Sequence, residues 1–313
     1  MEMTQTPSIS FVILNYNGKD LTDRCIDSLF RSIENIDYEI IVIDNGSDDE
    51  SADYLEKKYS FIKVLREGKN KYISAYNDGV KEASKQWVFL LNNDMTFEKG
   101  FIVPILEHIS HSDVFAVGSK MLRDNGDFEK CVNIPVFRFG YLRIKSVDVN
   151  ELTPSVYIGT HGAFNREKFI EIGGFDGVYS PFYSEDVDLC YRAWKRGWKT
   201  YVEPRSIIYH KHMATIGRLF KRRYVLRISA RNHFIFLWKN ITSKKIILYH
   251  IVFLPIILLG AILMGKYYYI PGFFEALMLL LRGKIDRDKT AIKTDEEIFS
   301  YFRKFECLTN SLR

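Results

Sequence analysis

Through the first hundred residues, short apolar runs alternate with stretches of helical periodicity. Residues 9–14, 39–43, 62–65 and 87–91 read as strands, each dominated by aliphatic or aromatic side chains. Between them, residues 21–33 place Leu21, Ile26, Leu29, Phe30 and Ile33 on a helical face, and residues 51–58 and 75–83 read as two further helices. Four strands joined by three helices predict an α/β domain with a mostly parallel sheet flanked by helices. From 114 to 157 the pattern loses its regularity and is rich in β-formers, and residues 159–212 are dense in Gly, acids, aromatics and His. Residues 246–265 contain no Lys, Arg, Asp or Glu and lead into a second apolar run at 267–281. This predicts a helical, partly apolar C-terminal extension, and hence a division into residues 1–240 and 241–313.

The composition, 47% hydrophobic and 27% charged over 313 residues, is that of a folded protein with a large core and excludes disorder or a collagen-like chain. The distribution of charge says more. The net charge is +5, yet residues 205–245 hold eleven Lys and Arg and no Asp or Glu, leaving an acidic excess elsewhere. That segment is suited to anions such as a phosphorylated ligand, lipid headgroups or nucleic acid. No recognised nucleic-acid motif accompanies it, and the acidic remainder opposes non-specific DNA binding, so no nucleic-acid partner is expected. The four cysteines are dispersed, without zinc spacing, which points to a reducing compartment and no structural zinc. MEMTQTPSIS lacks a basic region followed by a long apolar one, so it is not read as a secretory signal.

Ligands of parallel sheets bind beyond the carboxyl ends of the strands. Three such ends are polar here: Asn15-Tyr16-Asn17-Gly18, Asp44-Asn45-Gly46-Ser47-Asp48-Asp49 and Asn92-Asn93-Asp94. Asn, Asp and Gly are ordinary turn formers and caps, but three clusters at successive strand ends suggest a site. Asp44 is placed to accept hydrogen bonds from a ribose or base edge. Neither the Gly-x-Gly-x-x-Gly fingerprint nor a P-loop is present, so a nucleotide must be held another way. Asp94 offers one, as a carboxylate that can hold Mg2+ or Mn2+ bridging a diphosphate.

The chain resembles a family 2 glycosyltransferase of the GT-A fold, and is most similar to the rhamnosyltransferase-like branch. The matching stretches are FVILNYNG (11–18), IIVIDNGSDD (40–49), VFLLNNDM (88–95), IGTHGAFNREKFIEIGGFD (158–176), YSEDVDLCYRAWKRGW (183–198), HKH (210–212) and ARNHFIFLWKN (230–240), in the family's order over about 230 residues. The resemblance implies that Asn15, Tyr16, Asn17, Asp44 and Asn45 bind the nucleoside and that Asn77 and Asn93 belong to the donor site. It implies that Asp94 and His210 hold the metal and that Asp186, with Glu185 next in line, is the general base. His212, Arg222, Arg223 and His161 are candidate contacts to the diphosphate or acceptor, although His161 and His233 also read as packing residues. Two departures stand out: Lys71-Tyr72-Ile73-Ser74-Ala75 replaces a glycine-rich stretch, and Asn92 occupies the first acidic position of the metal motif.

The chemistry needs leaving-group charge stabilised and an acceptor hydroxyl deprotonated as it attacks. A single base with direct displacement inverts the anomeric centre. The expected enzyme is therefore an inverting, metal-dependent hexosyl- or deoxyhexosyltransferase. It takes a nucleoside-diphosphate sugar and a glycan or lipid-linked acceptor, in cell-surface polysaccharide or glycolipid assembly. A non-catalytic sugar-nucleotide-binding relative is the alternative, and the acids at 94 and 186 speak against it. The Glu185-Asp186-Val187-Asp188 run also reads as an acidic first helical turn, with Asp188 or Ser184 as a cap.

A helix over 246–265 would be about 30 Å long, matching a hydrocarbon core, and the eleven-cation segment adjoins it. Pro255, His250 and Glu275 interrupt the apolar runs and suit interfacial or re-entrant helices as well as one crossing. The expectation is attachment to the cytoplasmic face of the cell membrane, with a homo-oligomer interface or buried packing as the competing use of the apolar surface.

Overall fold

A computed structural model describes residues 8–211 and 220–305. His212, named above, lies outside the described residues, as do Arg218 and Cys307. Two compact units emerge, one comprising Met1–Val132, Asp148–Phe175 and Lys199–His212, the other Asn133–Val147, Asp176–Trp198 and Met213–Arg313.

The first unit begins with β1 (Ser8–Asn15), α1 (Lys19–Ser32), β2 (Asp37–Asp44), α2 (Ser51–Lys58) and β3 (Lys63–Arg66). It continues through a 3-10 turn (Tyr72–Ala75), α3 (Tyr76–Glu82), β4 (Trp87–Asn92), β5 (Met95–Phe97), α4 (Val103–Leu106), β6 (Val114–Arg123) and β7 (Phe128–Lys130). These elements follow the expected alternation closely. β1 is buried along nearly its whole length because neighbours cover both faces, which is why it reads as an uninterrupted apolar run. α1 buries Thr22, Cys25, Ile26, Leu29 and Ser32, one stripe at helical spacing. Phe11, Phe89 and Phe101 form an aromatic centre in the core beside it.

In the second unit, β8 (Val132–Arg138) and β9 (Tyr141–Val147) form a two-stranded ribbon. Its turn, Phe139-Gly140, has positive φ at both residues, as a two-residue hairpin of this hand requires. The chain then returns to the first unit for β10 (Thr153–Pro154), β11 (His161–Asn165) and α5 (Arg166–Glu171), enters the second for α6 (Glu185–Lys195), and returns for β12 (Lys199–His210). The remaining helices, α7 (Arg222–Asn240), α8 (Lys244–Leu263), α9 (Tyr269–Leu281) and α10 (Asp295–Arg303), belong to the second unit.

The ten-stranded sheet runs β10-β12-β6-β11-β4-β1-β2-β3, with β5 paired to β12 and β7 to β6. Pairing is parallel through β4-β1-β2-β3 and between β6 and β12, but β11 lies antiparallel between β4 and β6, so the sheet is mixed. The irregular stretch after residue 114 conceals this insertion, because no crossover helix precedes β11 to mark it. Asn15 stands opposite Asp44, and Leu14 opposite both Ile43 and Asn92, which brings three polar strand ends level.

In the second unit α9 packs on α7 at close range. A Cβ on Gly272 would lie 2.9 Å from the Arg227 carbonyl oxygen and the Arg231 nitrogen, so only glycine permits the approach. α10 is held through Asp295, which accepts from Tyr191 Oη at 2.7 Å, Lys195 Nζ at 2.9 Å and the Thr242 and Ser243 amides at 2.7 Å each. α8 contrasts with both: Leu248, Ile251, Val252, Ile256, Leu259 and Leu263 are all exposed.

Candidate active site

Parallel pairing aligns the ends of β1, β2 and β4, and Asn15 joins them. Its buried amide donates to Asp44 Oδ1 at 3.0 Å, Ser51 Oγ at 2.7 Å and Ser47 Oγ at 3.2 Å. Its carbonyl oxygen accepts from Thr22 Oγ1 at 2.8 Å and Asn93 Nδ2 at 3.2 Å. One side chain thus fixes β1, β2, the loop after β4 and the starts of two helices. Asn17, at φ 49°, ties the neighbouring loops, its carbonyl accepting from the Asp48 amide at 2.8 Å while its own amide donates to Ser47 Oγ. Tyr16 beside it is half-buried.

Asn45 holds the segment in which glycines are replaced. Its carbonyl accepts from the Lys71 amide at 2.8 Å and its amide donates to Asn70 Oδ1 at 2.9 Å. Lys71 Nζ is drawn to Glu67 and to Asp78, the latter at 3.1 Å. Asn77 clasps the glycine pair: its amide donates to the Phe175 carbonyl at 2.8 Å and its oxygen accepts from the Phe175 amide at 2.9 Å. Gly174 must be glycine there, because its φ is +63° and a Cβ would stand 2.3 Å from Asn77 Oδ1.

Asp94 follows Asn93 directly and meets His210, at the end of β12, with Oδ1 3.2 Å from Nε2. The other ring nitrogen, Nδ1, lies 3.1 Å from Oε1 of Glu129 in β7. Burial opposes a charge on this imidazole, and the two carboxylates outweigh it, pushing its pKa up to about 9. Among the described residues no group of three or more His, Cys, Asp or Glu has metal-binding geometry. The donor chemistry nevertheless fits Mg2+ or Mn2+, which take one or two protein ligands with substrate phosphate oxygens completing the set. The second nitrogen of a metal-binding imidazole usually donates to a carboxylate, as the Glu129 contact allows.

His161 is 1% exposed and its ring stacks on Tyr157 with centroids 5.5 Å apart, so its described setting is that of a packing residue.

In the second unit, Glu185 and Asp186 open α6, the first buried and the second half-buried. They follow Tyr183 and Ser184 at φ 74° and 76°, a left-handed pair of non-glycine residues that costs of order 1–3 kcal/mol each. Asn232 of α7 holds this turn, its amide reaching the carbonyls of Tyr179 at 2.6 Å and of Phe182 and Tyr183 at 2.8 Å each. Arg231 donates to the Ser180 carbonyl beside it. Asn232→Ala should leave these carbonyls without their donor at a cost of about 1–3 kcal/mol. The expected result is a lower urea midpoint and a larger loss of turnover than of donor affinity.

Ser184 occupies the N-cap position of α6 without a side-chain capping bond, and Asp188 lies inside the helix, fully buried, rather than at its cap. Asp188 accepts from Tyr179 Oη at 2.8 Å, Arg192 Nε at 2.7 Å and Asn240 Nδ2 at 2.8 Å, with Lys239 Nζ 3.0 Å away. Lys239 also binds Asp176 at 2.5 Å. Several of the described 205–245 cations are therefore engaged within the protein. Arg205 pairs with Glu107 and Glu203, Arg227 with Glu275, and Lys239 is buried. Arg222 and Arg223 are exposed in the first turn of α7.

This mixed sheet, with polar ends over β1, β2 and β4 and an Asp94–His210 pair beside them, is the GT-A fold. The chain belongs to glycosyl transferase family 2, whose model matches residues 10–173. It is 24% identical over 260 residues to the poly-beta-1,6-N-acetyl-D-glucosamine synthase of Staphylococcus epidermidis, covering 80% of this chain and 62% of that one. The chain thus spans less than two thirds of that relative's length. Among solved structures, GalNAc-T7 with UDP, GalNAc and Mn2+ matches at a TM-score of 0.58 and 16% identity, covering 75% of this chain and 48% of that one. A mannosyltransferase from Pyrobaculum calidifontis in complex with GDP-Man and Mn2+ matches at 0.54 and 14%, covering 97% and 84%.

Proposed function

We propose that this chain is an inverting, metal-dependent glycosyltransferase. It moves a sugar, with rhamnose a candidate, from a nucleoside-diphosphate sugar to a hydroxyl of a glycan or lipid-linked acceptor in cell-surface polysaccharide or glycolipid assembly. The observation that carries the reading is the Asn15-centred network joining Asp44 and Asn93, with Asp94 and His210 adjoining it. Family membership supports the activity, and the Mn2+ named with the two solved neighbours supports the cofactor. We assign catalysis to residues 1–240 and membrane attachment at the cytoplasmic face to residues 241–313.

Asp44 accepts hydrogen bonds from ribose hydroxyls or the N–H groups of a base edge, while Asn15, through its five contacts, holds the loops that frame them. Asp94 and His210 hold Mg2+ or Mn2+, which when bound offsets charge on the departing diphosphate. Asp186 takes the acceptor hydroxyl proton. The oxygen bonds to the sugar C1 as the C1–O bond to the diphosphate breaks, and the configuration inverts.

Incubating the full chain with a panel of sugar nucleotides, with and without Mn2+ or Mg2+, tests this reading. Metal-dependent hydrolysis or thermal stabilisation by some donor is expected. In Asp94→Asn the metal-dependent part of donor affinity should fall at least about tenfold, with Glu129→Gln weakening metal affinity roughly 10- to 100-fold through the ring it orients. A broad panel giving neither hydrolysis nor stabilisation overturns the proposal.

A further inference from the structure

The second unit contains a cavity of about 280 Å3 walled by the end of α7 and by α8 and α9. Its lining is almost wholly apolar, with Ile247, Ile251 and Leu254 from α8 facing Phe273, Leu277 and Leu280 from α9. The polar groups at its wall are nearly all engaged. Trp238 Nε1 donates to His250 Nε2 at 3.3 Å, and His250 Nδ1 faces the Gly140 carbonyl at 2.6 Å, so the imidazole is occupied on both sides. Arg287 is the exception. Its Nε donates to the Trp238 carbonyl at 3.0 Å, and its two Nη groups have no partner among the described residues. Nearby Asp288 is already taken by Arg196 at 2.9 Å and by Thr290.

A dry slot with an exposed guanidinium in its wall suits a long apolar chain carrying an anionic head. The surroundings favour a bilayer as its source. The helices forming the slot expose Leu248, Ile256, Leu263, Phe274, Met278 and Leu281, an apolar surface that water does not favour. Lys244, Lys245, Arg282 and Lys284 flank those helices and are exposed, so the apolar surface is bordered by positive charge, as at an anionic leaflet. Close packing at Gly272 fixes α9 on α7, which keeps the cavity walls in place.

The geometry points to a binding site for an anionic phospholipid of the bilayer, with one acyl chain in the α7–α8–α9 cavity and the headgroup phosphate on Arg287. This rests on the membrane reading proposed above and gives it a specific lipid contact. The full chain is titrated with monomeric short-chain phosphatidylglycerol, then with phosphatidylcholine vesicles with and without phosphatidylglycerol. Vesicles with brominated acyl chains report quenching of Trp238 in the wall. Wild type should bind the short-chain anionic lipid, and Arg287→Gln should weaken it about tenfold, the value of a charge-assisted contact. Lys266→Gln, an equal charge change outside the cavity, should leave that binding within twofold. Leu277→Phe, which narrows the cavity, should reduce quenching while vesicle binding persists. Vesicle binding with equal losses in Arg287→Gln and Lys266→Gln and no quenching would overturn the site and leave membrane attachment standing. Binding of the short-chain lipid without vesicle binding would overturn both the bilayer as the source of the occupant and the attachment.

Discussion

Asp186→Asn should lower turnover by roughly two to four orders of magnitude while leaving donor affinity within a few-fold of wild type. The substitution keeps the shape of the side chain and removes its capacity to take a proton. It leaves untouched Asp44 and Asp94, to which the donor is assigned, so binding measured calorimetrically with Mn2+ should survive the loss of rate. The supporting turn should also survive, because Asn232 bonds the backbone of 179–183 rather than the Asp186 side chain. Near-normal turnover in Asp186→Asn would assign the base elsewhere, with buried Glu185 the first residue to test.

The largest expected effect on folding belongs to Asp188. Asp188→Asn removes the charge that faces Arg192 and Lys239, which are only 6% and 5% exposed, so buried Arg192 loses the carboxylate it pairs with and Lys239 keeps Asp176. Breaking a buried pair in this way costs about 3–5 kcal/mol, measurable as a drop in the urea or thermal midpoint. A pH signature should accompany it. Burial opposes charge on Asp188, but Arg192, Lys239 and Asn240 outweigh that and hold its pKa below the ordinary carboxylate value. Its contribution to stability is therefore present above the unfolded pKa of about 3.9 and is lost as the pH falls through the lower folded value. Wild type should lose more stability than Asp188→Asn on acidification below about pH 4. Equal midpoints for the two proteins at neutral pH would show that the network holds no such energy.

What sequence reasoning could reach follows from how local each signal is. β1, β2 and β4 were legible because strands buried on both faces carry unbroken apolar runs, and the polar triplets after them mark the sheet's carboxyl edge. Antiparallel β11 was not, since orientation depends on a partner and not on residues 161–165 themselves. Glu129 was missed for a similar reason. It lies in the irregular stretch, 81 residues from His210, and nothing in its neighbours announces the contact. Asp188 looked like part of an acidic first turn, a local reading, whereas its partners Lys239 and Asn240 stand more than fifty residues later. The 230–240 stretch carried the family's pattern without a role. Asn232, Lys239 and Asn240 supply one, as supports for residues 176–192.

The Gly272 crossing has a practical consequence for anyone seeking a more soluble form of the protein. Arg231, whose amide nitrogen limits how near α9 can come, sits next to Asn232, the residue that braces the turn before Glu185 and Asp186. Excising the apolar helices would therefore strip the outer support from the helix that steadies the turn before the proposed base. Ending the chain before α8 would also remove Asp295, the anchor of Lys195 and Tyr191 at the far end of α6. Solubility is better sought by replacing outward-facing residues such as Leu263 and Leu281, which are 78% and 72% exposed, with the scaffold left whole.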